Sequence, residues 1–331
     1  MIGLTGSTGQ LGSRIAARLA GVPLRLIVRD PGRAPSVPGA SVMQAAYGEH
    51  AALLNALDGV DVLMLLSATE SADRVALHKA TVDAAVAAGV QRIVYTSFVG
   101  ASPGATFTFA RDHWHTEQHI RSTGVDFTFL RDNLYLDFVS GGVGEDGVIR
   151  GPAGDGRVAA VSRDDVAAVA ATVLLSTIPA PQTTPAAPPS AAPAPGTSVP
   201  GASASAAPAR PASAPIASSG SGALGTSDGL PRVASDHSGA TYDLTGPRAF
   251  TLAEAAAVLT DVWGRKVRYE PETLDEAYRS RESYGAPAWE VAGWVTSYAA
   301  IASGELSQVS TAVRDITGVE PTGFEEYVRA Q

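Results

Sequence analysis

The sequence predicts an α/β protein, a doubly wound parallel sheet carrying a small, mostly helical C-terminal lid. Short β-branched apolar runs alternate with longer amphipathic ones as far as residue 177, the pattern of successive βαβ units. These runs are almost continuously apolar, as strands covered by helices on both faces must be. The first of them leads through a glycine-rich turn straight into a helical pattern.

Taken in chain order, strands are expected at 2–5, 24–29, 62–67, 92–96 and 127–130, with helices at 10–20, 49–57, 74–88 and 112–122. A further helix over 164–175 opens on Ser162-Arg163-Asp164-Asp165, which has the form of a capping box. Composition then shifts abruptly. Residues 178–235 are nearly all Ala, Pro, Ser, Gly and Thr and hold 12 of the 22 prolines, among them Pro188, Pro189 and Pro231. Such a stretch has too few large apolar side chains to offset its ordering entropy, so it is expected to be a disordered insert. Order is expected to resume with a short strand at Tyr242, a helix capped by Thr251-Leu252-Ala253-Glu254, a strand over 265–269 and a helical remainder. The division that follows is a nucleotide-binding domain at 1–177, the insert at 178–235, and a C-terminal part at 236–331 that completes the sheet and forms a substrate lid.

The chain has 331 residues, 45% of them hydrophobic and 17% charged, with a net charge of −9. Its acidic balance argues against a nucleic-acid partner. It has no cysteine, which excludes disulfides, thiolate zinc sites and cysteine nucleophiles. The start, Met1-Ile2-Gly3-Leu4-Thr5, has no basic flank or cleavage signal, and the longest apolar stretch, 166–175, is too short for a bilayer. A soluble, cytoplasmic protein with no membrane partner is expected.

The glycine string gives a Rossmann-type reading its chemistry. Between the first strand and the first helix stands Gly6-Ser7-Thr8-Gly9-Gln10-Leu11-Gly12. In this setting Gly6 permits the tight turn, Gly9 lets backbone approach a pyrophosphate, and Gly12 allows helix and strand to pack closely. The helix N-terminus adds amide donors and a partial positive charge. A glycine-rich turn with no ligand is the competing reading, and the strand–helix context disfavours it. The second strand ends on Arg29, where an NAD-selective site places an acidic residue, and Arg33 follows closely; together they favour the 2′-phosphate of NADP(H). The adjacent Asp30 weighs the other way.

These residues resemble the NmrA-like, atypical short-chain dehydrogenases. The resemblance rests on Leu4 to Gly12 and on Ile27-Val28-Arg29-Asp30-Pro31-Gly32-Arg33-Ala34. It extends through Ala45-Ala46-Tyr47-Gly48, Leu65-Leu66-Ser67, Tyr95-Thr96-Ser97, His113 to Glu117, Leu130-Arg131-Asp132-Asn133-Leu134-Tyr135 and Tyr242 to Thr251. Within that group it is similar to the bacterial NAD(P)H:quinone oxidoreductase type and its triphenylmethane-reductase relatives. The family often has an acidic residue near the adenine where this chain has Ala46, so adenine recognition is expected to fall to backbone groups. Where some relatives have a catalytic-type lysine, this chain has His113, as quinone-reductase members do.

The superfamily's usual Tyr-x-x-x-Lys pair is absent: the chain has two lysines, Lys79 and Lys266, and Val99 stands four residues after Tyr95. Candidate residues after strand C-termini are Ser67, Thr96, Ser97 and Asn133 for the cofactor, and Tyr135 and His113 for catalysis. A quinone tolerates so small an inventory, because it accepts hydride readily and its reduced form is stable. Tyr135 is expected either to donate a hydrogen bond to the acceptor or to form an amphipathic wall. His113 is expected to do likewise or to shuttle a proton near neutral pH. Ser67 and Ser97 alternatively only cap helices, and Trp114 belongs to the core. His115 and His119 share a helical face with no third ligand, so no metal is expected. The expectation is thus an NADPH-dependent reductase of a quinone-like small molecule. Alternatives are a non-catalytic NADP-binding redox sensor and a reductase of another conjugated substrate. The assembly is left open, with a homodimer as a candidate.

Overall fold

The computed structural model describes residues 1–178 and 237–331, and the expected insert lies, Ile178 apart, outside the described residues. Strand β1 (Ile2–Thr5) passes through the glycine turn into helix α1 (Gln10–Arg18), and β2 (Leu24–Val28), β3 (Ala40–Gln44) and α2 (His50–Leu57) follow. Next come β4 (Val62–Leu65), α3 (Arg74–Ala87), β5 (Arg92–Phe98), α4 (Thr108–Thr123), β6 (Asp126–Asp132) and α5 (Leu136–Gly141). After β7 (Val148–Gly151), β8 (Arg157–Val158) and α6 (Arg163–Ser176), the described chain resumes with β9 (Thr241–Leu244), β10 (Phe250–Thr251) and α7 (Leu252–Trp263). It ends with β11 (Arg268–Pro271), α8 (Leu274–Arg281), α9 (Ala288–Ala302), α10 (Ala312–Thr317) and α11 (Phe324–Arg329).

Seven strands form the central sheet in the order β3-β2-β1-β4-β5-β6-β9, and every pairing in it is parallel. From β1 the chain winds outward to β3, then returns to place β4 on the other side of β1. The crevice between the C-terminal ends of β1 and β4 is therefore the topological switch point, where open α/β sheets bind ligands. Alternation along the strands sorts the core. Ile2, Leu4 and Met64 pack with Ile15 of α1 and Val166 and Val169 of α6 on one face. Leu63, Leu65 and Ile93 pack with Leu53 of α2, Val82 of α3 and Ile120 of α4 on the other.

Two features depart from the sequence expectations. Strand β3 is absent from them: it is the sheet edge, its side chains are largely exposed, and so it lacks the apolar run that marks a buried strand. The two small sheets are not built from the C-terminal part alone. β7 pairs with β11 in parallel and β8 with β10 antiparallel, so residues preceding α6 supply half of each small sheet. Pairings this short and this distant in sequence leave no local periodicity to read. The capping box of α7 is present with both reciprocal bonds. At α6 only half forms: Ser162 accepts from the Asp165 amide, while the Asp165 carboxylate turns to Thr322. No helix among the described residues is long and apolar enough to cross a membrane.

Candidate functional site

A cavity of about 850 Å³ opens over the switch point, lined by Gly6, Gly9, Gly12, Arg29, Arg33, Tyr47, Ser67, Thr96, Tyr135 and Arg163 among others. Its volume lies within the roughly 300–1,000 Å³ usual for cofactor and ligand sites. At its base Gly6 takes a left-handed conformation, φ 65°, which turns the chain from β1 towards α1. A Cβ on Gly12 would lie 2.1 Å from the Gly6 carbonyl oxygen, so Gly12 is required by the close contact of helix and turn. Gly9 is different. Its φ is −87°, and an added Cβ would meet only the Gly6 oxygen, at 3.4 Å. The fold itself therefore leaves room for a Cβ at position 9.

Three observations fit a bound dinucleotide. The open face at Gly9 would be filled by a Cβ. No side chain caps the N-terminus of α1, so its first-turn amides face the cavity with the helix dipole behind them. The Ser7 hydroxyl, fully buried within the glycine turn, has no hydrogen-bond partner among the described residues.

Arg29 and Arg33 stand exposed on the cavity wall, and neither forms an ion pair among the described residues. The competing Asp30 is turned away: its carboxylate accepts the Gly32 amide at 2.9 Å and caps the short 3₁₀ turn Pro31–Arg33. The Ala46 amide is bonded to the Glu49 carboxylate at 2.9 Å and its carbonyl accepts the Glu49 amide at 3.2 Å.

The floor of the cavity is held by buried polar bonds. The Tyr47 hydroxyl reaches Thr5 and the Leu66 carbonyl, locking together the ends of β1 and β4. Thr96 accepts the Ser67 amide at 2.8 Å. The Ala68 amide donates to His78 Nε2 at 2.8 Å, which fixes the neutral ring with its proton on Nδ1, facing Thr116 at 2.9 Å. Burial, with the nearby Arg74 cation, lowers the His78 pKa to about 3.

The far wall brings together residues distant in sequence. Tyr135 lines the cavity, and the Arg163 guanidinium stacks on its ring at 3.9 Å, a cation–π contact. Arg163 also pairs with Asp137. The Tyr135 hydroxyl is bonded to the carboxylate of Asp132, the last residue of β6, which is 7% exposed. Sequence reasoning missed Arg163, Tyr47 and Asp132 as site residues. Tyr47 and Asp132 stand in the stretches that carry the family resemblance, whereas Arg163 has only the appearance of a helix start.

The structure gathers Gly6, Thr8, Gly9, Gln10, Leu11, Gly12, Arg29, Arg33, Ser67, Thr96 and Tyr135 around this cavity, with Ser7 buried beneath its glycine turn. It takes three expected residues elsewhere. Ser97 is fully buried and donates to Glu117 at 2.6 Å, where Arg131 grips the same carboxylate with two bonds. Asn133 is buried, bonding the Leu306 carbonyl at 3.0 Å and the Leu134 amide at 2.8 Å, and so ties the end of β6 to the segment after α9. His113 is buried between Tyr95 (2.9 Å) and Arg74 (3.2 Å) and does not line the cavity. Burial, then the Arg74 charge, holds its pKa well below 6.5, so its ring stays neutral and does not titrate near pH 7.

Residues 6–177 match the family described as NAD(P)H-binding. The chain is 30% identical over 296 residues to quinone oxidoreductase 2 of Escherichia coli (strain K12), covering 87% of this chain and 83% of that one. The crystal structure of an NADPH-dependent quinone oxidoreductase from Escherichia coli complexed with NADPH superposes with a TM-score of 0.76 at 29% identity, covering 100% of this chain and 99% of the other. The Citrobacter sp. triphenylmethane reductase complexed with NADP(H) superposes with a TM-score of 0.74 at 27% identity, again covering 100% and 99%.

Proposed function

The chain belongs to the NAD(P)H-binding family, and from that premise we propose that it is an NADPH-dependent reductase that passes hydride to a quinone-like acceptor. The observation that carries the proposal is the pair Arg29 and Arg33 on the cavity wall, neither in an ion pair among the described residues, while Asp30 is engaged in its own turn. Two guanidinium groups there hold a 2′-phosphate and reject nothing about the rest of the dinucleotide. The relative named quinone oxidoreductase 2, at 30% identity, supports the acceptor class.

The work divides simply. Bound NADPH supplies the hydride. The α1 amides and Gly9 hold the pyrophosphate, Arg29 and Arg33 the 2′-phosphate, and Thr96 fixes the β4–α3 connection over which the nicotinamide half would lie. Tyr135 supplies a hydroxyl on the wall facing the acceptor. Orientation does most of what the protein must do, since a conjugated acceptor needs no strong acid to take hydride. Triarylmethane dyes fit the same chemistry, and the dye reductase among the structural relatives keeps them as a second acceptor class.

Oxidation of NADPH at 340 nm (roughly the nicotinamide absorbance band) with benzoquinone, run beside a control without quinone, tests the reading. Steady quinone-dependent turnover is expected. Tight NADP binding with no turnover on quinones or dyes overturns it in favour of a redox sensor.

A further inference from the structure

We propose that Asp132 and Tyr135 form a two-residue proton relay, in which the buried carboxyl group supplies the proton that Tyr135 passes to the reduced acceptor. The inference rests on reading the cavity as a reductase site. Tyr135 alone touches the cavity; Asp132 lies behind it and acts through it.

A phenol has one proton. While Asp132 is ionised, the Tyr135 hydroxyl donates to that carboxylate and has no proton to offer the cavity. When Asp132 is protonated the bond reverses: the carboxylic O–H donates to the Tyr135 oxygen, and the phenol proton is free to turn towards an acceptor. The state of Asp132 therefore decides whether Tyr135 is a donor. Arg163, stacked on the tyrosine ring and paired with Asp137, keeps the ring in place through both states.

The surrounding charges allow the switch near neutrality. Burial pushes the Asp132 carboxyl up to about 7, opposed by the bond from Tyr135 and by the cations Arg163 from α6 and Arg74 from α3. Tyr135 is itself held well above its usual value by burial and by the Asp132 charge, with Asp137 adding to this and Arg163 opposing it. Tyr135 thus stays a phenol, and of the pair Asp132 is the member that titrates.

The step balances. Hydride brings two electrons and one hydrogen to the acceptor, leaving an oxyanion. That oxygen takes the proton of Tyr135 as the Asp132 O–H bond breaks and a new O–H bond forms on Tyr135. Asp132 is left as a carboxylate and regains a proton from water after the product leaves. Acceptor, NADPH and one proton give reduced acceptor and NADP⁺.

Asp132→Asn and Tyr135→Phe test the relay, with benzoquinone as acceptor. For the wild type, kcat/KM is expected to fall tenfold per pH unit above about pH 7. Asparagine keeps a bond to Tyr135 but carries no transferable proton, so Asp132→Asn should be about tenfold slower at pH 6, flat with pH, and similar to wild type at about pH 8. Tyr135→Phe should match it, the double variant should lose no more than either, and Asp132→Glu should restore the slope. NADPH affinity, by fluorescence titration, should stay unchanged in all of them. A second readout needs no turnover. Because the folded pKa of Asp132 is raised, wild-type stability falls as pH rises from about 4 to 7, so Asp132→Asn should gain in melting temperature relative to wild type between pH 4 and pH 8. A wild-type pH slope retained in Asp132→Asn, or in Tyr135→Phe should the former fail to fold, overturns the relay. Absence of turnover by every form, with the melting shift intact, overturns the reductase reading instead.

Discussion

Gly12 lies so close to Gly6 that a Cβ on the former would fall 2.1 Å from the carbonyl oxygen of the latter, while at Gly9 the nearest atom to an added Cβ, the same oxygen, is 3.4 Å away. Two glycines of one motif thus differ: the fold requires Gly12, whereas Gly9 is the one the proposed ligand would require. Gly12→Ala should destabilise the protein by at least about 1–3 kcal/mol, as overpacking against rigid backbone does. Gly9→Val should leave the circular dichroism spectrum and melting temperature nearly unchanged and abolish NADPH binding. Equal effects of the two substitutions on stability would contradict this division.

Arg29→Ala and Arg33→Ala should each weaken NADPH and leave NADH little changed. Charge-assisted bonds contribute about 1.5–3 kcal/mol each, which is roughly a 10- to 150-fold rise in Kd. Cofactor fluorescence titrations with the two dinucleotides measure it; a parallel loss for both would mean that the arginines serve the shared part of the molecule.

Ser97→Ala should lower stability by about 1–2 kcal/mol and leave NADPH affinity alone, because the hydroxyl serves buried Glu117 rather than the cavity. Arg131→Met removes the partner of that same carboxylate, whose side chain is 1% exposed, and should cost about 3–5 kcal/mol. Urea midpoints beside cofactor titrations separate stability from binding in both variants.

His78 gives a pH dependence with a definite sign. Its folded pKa, about 3, lies below the ordinary 6.5, so the unfolded chain binds the extra proton between those values. Stability from this group is complete above about pH 6.5 and falls as pH drops, at up to about 1.4 kcal/mol per unit. His78→Gln should be less stable than wild type at pH 7.5 by a margin that shrinks as pH falls towards 4. Asp132 works in the opposite sense over the same range, so the difference between variant and wild type, rather than the absolute midpoint, is the quantity to follow. A margin that does not change with pH would mean that His78 is not held neutral in the fold.

By itself the sequence determined the interior strands and most of the helices of the sheet, and it named residues that the fold brings to the cavity. The glycine turn and the end of β2 are contiguous in the chain, and their roles follow from backbone geometry and charge at fixed spacing, so Gly6, Gly9, Gly12, Arg29 and Arg33 are legible in the chain alone. Interior strands are legible because burial on both faces writes a continuous apolar run. Tertiary structure decided the rest. Ser97 neighbours Thr96 in β5, Asn133 precedes Tyr135 after β6, and His113 sits on α4, yet side-chain direction turns Ser97, Asn133 and His113 away from the cavity, where Glu117, Leu306 and Arg74 take up their polar atoms. The wall formed by Tyr135 and Arg163, with Asp132 behind it, exists only because β6 and the start of α6 converge at one end of the sheet. Charge, burial and direction at that point are long-range properties of the packed chain, and no local pattern encodes them.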